Sequence, residues 1–223
     1  MSILKRIPIQ YRGELHDVRL INFSVAMEEV AGNIPPSIRI RDFDGRALIS
    51  IVDVKLRNMR AVAFPFFRFQ YRHMAFRLLV DDSEYNNGIA KGIFFYRSFT
   101  DNPLVVTGGG LFTDYNLGRA HIEECDGEVT LTQGDFRVRY RVGNAPSTDE
   151  HPLTTSIAAL DRAYSVLGKS LRVTEIQREK WPIQPVECTG FENTFFGTAK
   201  FECAFRVFET IYYDWLPPKS ILR

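Results

Sequence analysis

Tight-turn sequences recur along this chain, and each lies between two segments rich in apolar residues. They are Asp44-Gly45, Asn86-Asn87-Gly88, Asp126-Gly127 and Gln133-Gly134-Asp135. Asn-Gly and Asp-Gly accept the positive φ angles of two-residue hairpin turns, which join neighbouring antiparallel strands. The spacing therefore predicts strand pairs over the flanking segments: 38–40 with 47–54, 73–80 with 89–99, 119–125 with 128–132, and 128–132 with 136–142.

Side-chain alternation supports the strands and identifies their faces. In Phe136–Val142, one face carries Phe136, Val138, Tyr140 and Val142, and the other carries Arg137, Arg139 and Arg141. Residues 199–207 alternate in the same way. The arginine row has two interpretations. It is a solvated sheet face paired with acidic neighbours, or it binds an acidic partner or phosphates.

One segment follows helical rather than strand spacing. Its apolar residues are Leu153, Ile157, Leu160, Tyr164 and Leu167, at i, i+4, i+7, i+11 and i+14. This spacing predicts a helix that ends at Gly168. A shorter helix is predicted over residues 25–31. With no linker or repeat in residues 1–223, we predict a single domain of the β-rich α+β class, an antiparallel sheet closed into a barrel with a few helices packed outside it.

Charge and cysteine content limit the classes of partner. The 223 residues carry 28 Lys+Arg against 27 Asp+Glu, a formal net charge of +1. We therefore predict no nucleic-acid partner and, without an apolar run long enough for a transmembrane helix, no membrane partner. The three cysteines have no Cys-x-x-Cys spacing, which fits free thiols in a reducing compartment. We expect a cytoplasmic protein, and the composition is compatible with a homo-oligomer.

Metal and phosphate motifs are weak. His121, Glu123 and Cys125 share one strand face, but no second His/Cys cluster accompanies them, so we predict no metal. Gly108-Gly109-Gly110 lacks the flanking residues of a phosphate-binding loop, and we interpret it as a flexible turn or a site of close backbone approach. We expect no cofactor.

Several segments in a common order resemble the uncharacterised YqjF-like family of the acetoacetate-decarboxylase-like superfamily. Residues 42–52 are similar to its first hairpin, residues 73–80 to its central strands, and Trp181-Pro182-Ile183-Gln184-Pro185-Val186-Glu187 is the most specific piece. Four further segments are similar to the family: Ile34-Pro35-Pro36, Gly92-Ile93-Phe94-Phe95, residues 160–164 and residues 211–216. Of these, residues 160–164 resemble a helix segment of the family. The resemblance implies a cone-like β-barrel with an internal pocket.

The chain departs from the decarboxylases where their chemistry resides. Those enzymes form a Schiff base through one of two adjacent lysines, whose pKa is lowered by a neighbouring cation and an apolar pocket. In our alignment Asn116 and Leu117 stand opposite that pair, and no lysine occurs between Lys91 and Lys169. An asparagine amide cannot form an imine. We therefore expect no Schiff-base decarboxylation, and Lys91, beside a hairpin, is a poor substitute.

The central strand carries the candidate site. His73, Ala75 and Arg77 alternate, so all three face one side, which the resemblance implies is the barrel lumen. Arg77 is a carboxylate anchor or pairs structurally with a buried acid. His73 is a proton carrier, a hydrogen-bond donor or a wall residue. Tyr115 and Asn116 complete the candidate ligand-binding set.

Three functions follow. The first is an internal pocket that binds a small organic acid or apolar metabolite, with aromatic walls among the 18 Phe. The second is a lysine-independent acid–base enzyme acting on a keto or enol acid through His73, Arg77 and Tyr115. The third is a protein-interaction module using the arginine-bearing sheet face. Whether the chain is catalytic at all stays open at this point.

Overall fold

The computed structural model describes residues 8–112, 117–147, 150–179 and 181–222. In chain order its strands are β1 Tyr11–Ala26, β2 Asp42–Phe43, β3 Arg46–Ala61, β4 Phe69–Val80, β5 Gly92–Thr100, β6 Leu117–Arg119, β7 His121–Cys125, β8 Glu128–Gln133, β9 Phe136–Val142, β10 Arg162–Leu167, β11 Ser170–Arg178, β12 Gln184–Val186, β13 Cys188–Asn193, β14 Lys200–Val207, β15 Ile211–Trp215 and β16 Lys219–Leu222. The helices are α1 Met27–Ala31, α2 Pro103–Phe112 and α3 Leu153–Ala158, and a short 3-10 turn covers Ser83–Tyr85.

Seven of the described strands close into a barrel. The order around the ring is β1-β15-β11-β10-β5-β4-β3, and β3 pairs with β1 again to complete it. Every neighbouring pair in the ring is antiparallel except β5 and β10, which run parallel. Strands β14 and β12 extend the sheet from the second half of β1. The predicted fold class, a mainly antiparallel β-barrel with a few short helices, is confirmed.

A second sheet of four strands, in the order β13-β9-β8-β7, covers the outside of the barrel. Its apolar face and the outer faces of β1, β3 and β4 enclose one hydrophobic cluster, which includes Phe23, Phe76 and Tyr140. The covered barrel strands are therefore buried on both faces. This explains why residues 48–54 are a nearly continuous apolar run rather than an alternating one.

The positive φ angles predicted at the three Asx-Gly positions are confirmed, but the pairing of residues 38–40 with 47–54 is wrong. The strand before Asp44-Gly45 is β2, which pairs with β3, while Ile40 bridges Val80. Asn87-Gly88 lies in the longer β4–β5 connection, residues 81–91, and not in a two-residue turn. Asp44, Asn87 and Asp126 have φ angles of 49°, 53° and 50°, and the glycine after each is also in the left-handed region. Strands β4 and β5 pair antiparallel, as do β7 with β8 and β8 with β9.

The long helix predicted over residues 153–167 is wrong. Helix α3 ends at Ala158, and residues 162–167 form β10, which pairs with β11 along its whole length and with β5 over three residues. Gly168, predicted to end the helix, lies instead in the tight β10–β11 turn with φ 67°. Tertiary pairing on both edges of β10 overrides the helical spacing of its apolar residues.

Gly108-Gly109-Gly110 is also not a turn, because it lies within α2. The helix begins at Pro103, and the Asn102 side chain accepts a hydrogen bond from the backbone N–H of Leu104 at 3.0 Å. A capping Asn followed by Pro is a strong helix start, and it outweighs the low helix propensity of the glycines.

Candidate functional site

The barrel interior is filled at one end and hollow at the other. A hydrophobic cluster that includes Leu20, Leu48 and Phe205 packs the closed end, with Ile157 of α3 against it. Towards the other end lies a pocket of about 470 Å³. Six of the seven ring strands contribute lining residues, and α2 borders it with Leu104, Val105 and Gly108.

Two neighbouring strands line the pocket from its floor to its mouth. On β4, alternate residues from Phe69 to Arg77 face it, and on β3 the lining residues run from Val52 to Met59. The register pairs Arg77 with Ser50 at the floor and Phe69 with Met59 at the mouth. Arg77 is 6% exposed and Phe69 is 38% exposed, so Arg77 lies deep in the pocket and Phe69 lies near its opening.

Arg77 is a buried cation without a facing acid. One guanidinium nitrogen, Nη2, donates to Ser50 Oγ at 3.0 Å, and the buried Nε has no hydrogen-bond partner among the described residues. The described lining residues include no Asp or Glu. Burial, with a smaller contribution from the charge of Arg178, lowers the pKa of Arg77 to about 9. An arginine desolvated in this way attracts an anion.

A tryptophan lies between Arg77 and a second arginine. The guanidinium carbons of Arg77 and Arg178 lie 5.5 Å and 4.4 Å from the ring centroid of Trp181, both within cation–π range. Trp181 is buried, and its Nε1 has no hydrogen-bond partner in the described part of the chain. Arg178 donates to the carbonyl oxygens of Leu160 and Glu179. The charge of Arg178 is thus stabilised by backbone carbonyl dipoles, whereas Arg77 has only its described hydrogen bond to the Ser50 hydroxyl.

His73 lies on the pocket wall two positions above Ala75 on β4. Burial lowers its pKa to about 4, against the opposing charge of Asp53 and with the help of the positive charge of Arg77. The imidazole is therefore neutral at neutral pH. Next to it, burial raises the pKa of the Tyr71 phenol well above its usual value. The middle of the pocket consequently carries no charge.

The sequence-derived residues are only partly brought together. His73 and Arg77 line one pocket with Ala75 between them. Tyr115 and Asn116 lie outside the described residues. Leu117, the other residue aligned with the lysine pair, lines the pocket with an apolar side chain. The sequence does not predict Trp181 or Arg178 as pocket residues. The Trp-Pro motif singles out Trp181, but no local pattern places its side chain against Arg77.

None of the described lining residues is a lysine. Lys91 lies at the start of the β5 region, and its Nζ is 3.6 Å from an oxygen of Asp161. Lys180 precedes the lining residue Trp181 but falls outside the described residues.

The remaining sequence candidates form surface contacts. His121 Nε2 is 2.6 Å from Glu123 Oε1 on an exposed strand, and no group of metal-ligating side chains occurs within the described ranges. Arg137 and Arg139 both pair with Glu192, and Arg139 also lies 3.7 Å from Glu128. These two arginines thus have the acidic neighbours expected of a solvated sheet face. Of the described helices, none has the length and apolar character needed to cross a membrane.

Comparison with solved structures defines the class of protein. Acetoacetate decarboxylase from Legionella pneumophila superposes with a TM-score of 0.64 at 12% identity, over 96% of this chain and 87% of that chain. An acetoacetate decarboxylase-like enzyme from Sphingomonas wittichii RW1 gives 0.61 at 11% identity, over 96% and 92%. The enduracididine biosynthesis enzyme MppR, complexed with the condensation product of pyruvate and imidazole 4-carboxaldehyde, gives 0.63 at 12% identity, over 96% and 90%. The chain has the acetoacetate-decarboxylase-like fold.

Sequence comparison then identifies the family. Residues 12–214 match the DUF2071 family, described as an uncharacterized conserved protein. The chain belongs to this YqjF-like family. A search of curated proteins found no significant match.

Proposed function

We propose that this protein binds a small organic acid in the barrel pocket, with the ligand carboxylate at Arg77 and without a Schiff-base lysine. The observation that carries the proposal is Arg77 itself, a buried guanidinium with an unpartnered Nε and no facing acid among the described lining residues. A planar guanidinium fork is well suited to a carboxylate. The MppR structure, with its pyruvate-derived ligand in the same fold, supports an acid as the ligand class.

The surroundings of His73 favour binding over acid–base turnover. A general base works best when its pKa lies near the operating pH. With a pKa lowered to about 4 by burial, His73 holds a proton weakly and accepts one poorly at neutral pH. The imidazole then serves as a neutral wall group that can hydrogen-bond a ligand.

Binding is tested by isothermal titration of the full chain with a panel of mono- and dicarboxylic acids. Arg77→Met keeps the unbranched apolar stem and removes the charged guanidinium, so we expect affinity for the best acid to fall by about 10- to 100-fold. Arg137→Met removes an exposed arginine on the outer sheet and should leave affinity unchanged.

Near-ultraviolet circular dichroism establishes that the tertiary structure of each variant is intact. The proposal is wrong if no acid in the panel binds, or if folded Arg77→Met binds the same acids as tightly as the wild type.

The absence of imine chemistry has its own test. Incubation with acetoacetate or pyruvate followed by borohydride should leave the protein mass unchanged, because an imine requires a neutral, accessible amine. A covalent adduct that maps to Lys180 or Lys91 would contradict this part of the proposal and restore the decarboxylase mechanism.

A further inference from the structure

We propose that the ligand is an amphiphilic monocarboxylate, with one carboxylate at Arg77 and an apolar chain that extends along β4 to the pocket mouth. This inference rests on the proposed function and specifies its ligand class. It goes beyond a short acid, which would occupy only the floor.

The first argument is the order of side chains along β4. From floor to mouth, the residues facing the pocket are Arg77, Ala75, His73, Tyr71 and Phe69. Over these eight residue steps a strand rises by roughly 26 Å. Charge is confined to the floor, because His73 is neutral and burial keeps the Tyr71 phenol protonated.

The second argument is that the wall beside the mouth half of β4 is apolar. On the β3 side its residues are Val52, Val54, Leu56 and Met59. The hydroxyl of Tyr213, a polar group in this region, donates to Met59 Sδ at 2.9 Å and is occupied. A second charge on the ligand would therefore be desolvated midway up the pocket without a partner, at a large cost in affinity.

The third argument concerns the number of cations available. Arg178 lines the pocket too, but its guanidinium donates to the carbonyls of Leu160, Glu179 and, at 3.4 Å, Ala158. Arg77 makes a single described hydrogen bond, to Ser50. The floor thus offers one arginine for one carboxylate, which favours a monoanion over a dianion.

The fourth argument is the size and rim of the pocket. A volume of about 470 Å³ far exceeds a three- or four-carbon acid; sites of about 300–1,000 Å³ hold drug-sized ligands. The rim residues Phe69 and Leu104 are 38% and 81% exposed. An extended chain reaching the rim would cover this exposed apolar surface.

The experiment is a calorimetric series on the full-length chain with butanoate, octanoate, decanoate, tetradecanoate, 1-decanol and octanedioate, each below its self-association concentration. Each added methylene buried in the pocket should raise affinity by about threefold to fourfold. With six more methylenes, decanoate should therefore bind about 700- to 4,000-fold more tightly than butanoate if all six are buried. Decanol and octanedioate should both bind more weakly than the monocarboxylate of the same length.

Two variants locate the chain. Phe69→Ser removes the aromatic rim and should weaken tetradecanoate, whose longer chain reaches further from Arg77 towards the rim, by about 5- to 20-fold while leaving butanoate unchanged. Phe66→Ser is the matched control, since Phe66 is 93% exposed in the β3–β4 loop just before Phe69 and is not among the lining residues; it should change neither affinity. Leu104→Gln, at a largely exposed position, repeats the rim test in a variant with little effect on folding.

The outcomes separate the two proposals. If butanoate binds as tightly as decanoate, the chain-length inference is wrong and the proposed function stands. If octanedioate or decanol matches the monocarboxylate, the single-carboxylate assignment is wrong. If no acid binds, the proposed function fails and the inference fails with it.

Discussion

Two arginines on opposite faces of β4 differ in their hydrogen-bond partners. Arg72 points outwards and donates to both carboxylate oxygens of Asp53, at 2.8 Å and 2.7 Å. Tyr140 also donates to Asp53, at 2.8 Å, from the covering sheet. Arg77 points inwards and, among the described residues, donates only to the Ser50 hydroxyl oxygen. The arginine paired with Asp53 helps to join the sheet to the barrel, and the arginine without an acidic partner is the one to which we assign the ligand carboxylate.

His73 gives a pH-dependent stability that can be measured. Its pKa is about 4 in the folded protein and about 6.5 in an unfolded chain. Between these values the unfolded state binds more protons, so acidification favours unfolding. The contribution of the neutral His73 imidazole to the free energy of unfolding is fully present above about pH 6.5. It is lost as the pH falls towards 4, and the loss is about 1–3 kcal/mol in total.

Thermal denaturation of the wild type and His73→Gln between pH 4 and 7 checks this. The glutamine variant should lose less Tm on acidification, and His121→Gln, on the exposed strand β7, should behave like the wild type. Parallel curves for the wild type and His73→Gln would show that the buried imidazole is protonated as easily in the folded protein.

At the scale of elements, the contact between β5 and β10 is the parallel pair of the ring, and we refer to it as the seam of the barrel. It is only three residue pairs long, and it is reinforced by Asp82, which is 2% exposed. Asp82 Oδ1 accepts hydrogen bonds from the backbone N–H groups of Lys91 and Gly92 at 2.7 Å and 3.0 Å, and Oδ2 accepts one from the Tyr164 hydroxyl at 2.8 Å. One carboxylate therefore holds the β4–β5 connection and β10 together.

Gly92 is required for the close packing of this seam. A Cβ added at Gly92 would lie 2.5 Å from Tyr164 Cε2 and 2.6 Å from Val80 Cγ2. We expect Gly92→Ala to lower the free energy of unfolding by about 1–3 kcal/mol through overpacking. Denaturant titration measures this change.

Gly32→Ala is the matched control for that substitution. Its Cβ would meet no atom within 4 Å, and its φ of −66° suits any residue. It should therefore change stability by less than about 0.5 kcal/mol. If the two alanine variants prove equally stable, the seam is less tightly packed than its geometry indicates.

The sequence predicts elements where the signal is local and fails where it is not. Asx-Gly turns specify their own backbone geometry, so the hairpins around Asp44, Asn87 and Asp126 could be located in advance. Strand β10 could not, because its apolar residues follow helical spacing and one of its two pairing partners, β5, is distant in sequence. Likewise, alternation places His73 and Arg77 on one face, whereas Trp181 reaches Arg77 only through the closure of the ring.

The barrel as a whole combines a packed end and a hollow end. One reason is that the four-stranded sheet forms a hydrophobic core outside the barrel, so the stability of the protein does not depend on filling the lumen completely. The 18 Phe supply both the outer core and the pocket. Phe23, Phe76 and Phe196 pack in the outer cluster, while Phe69 and Phe95 line the pocket.

Strand β1 has a consequence for synthesis on the ribosome. One edge pairs with β3, but the other pairs with β15 and β14, with Tyr11 opposite Trp215 and Val18 opposite Val207. A nascent chain that ends before these residues can form the β1–β3–β4 meander but leaves the other β1 edge without its partner strands. Such an edge is a template for intermolecular pairing, and contacts between residues so distant in sequence form slowly. The nascent chain therefore most needs chaperone protection before β14 and β15 have left the ribosome.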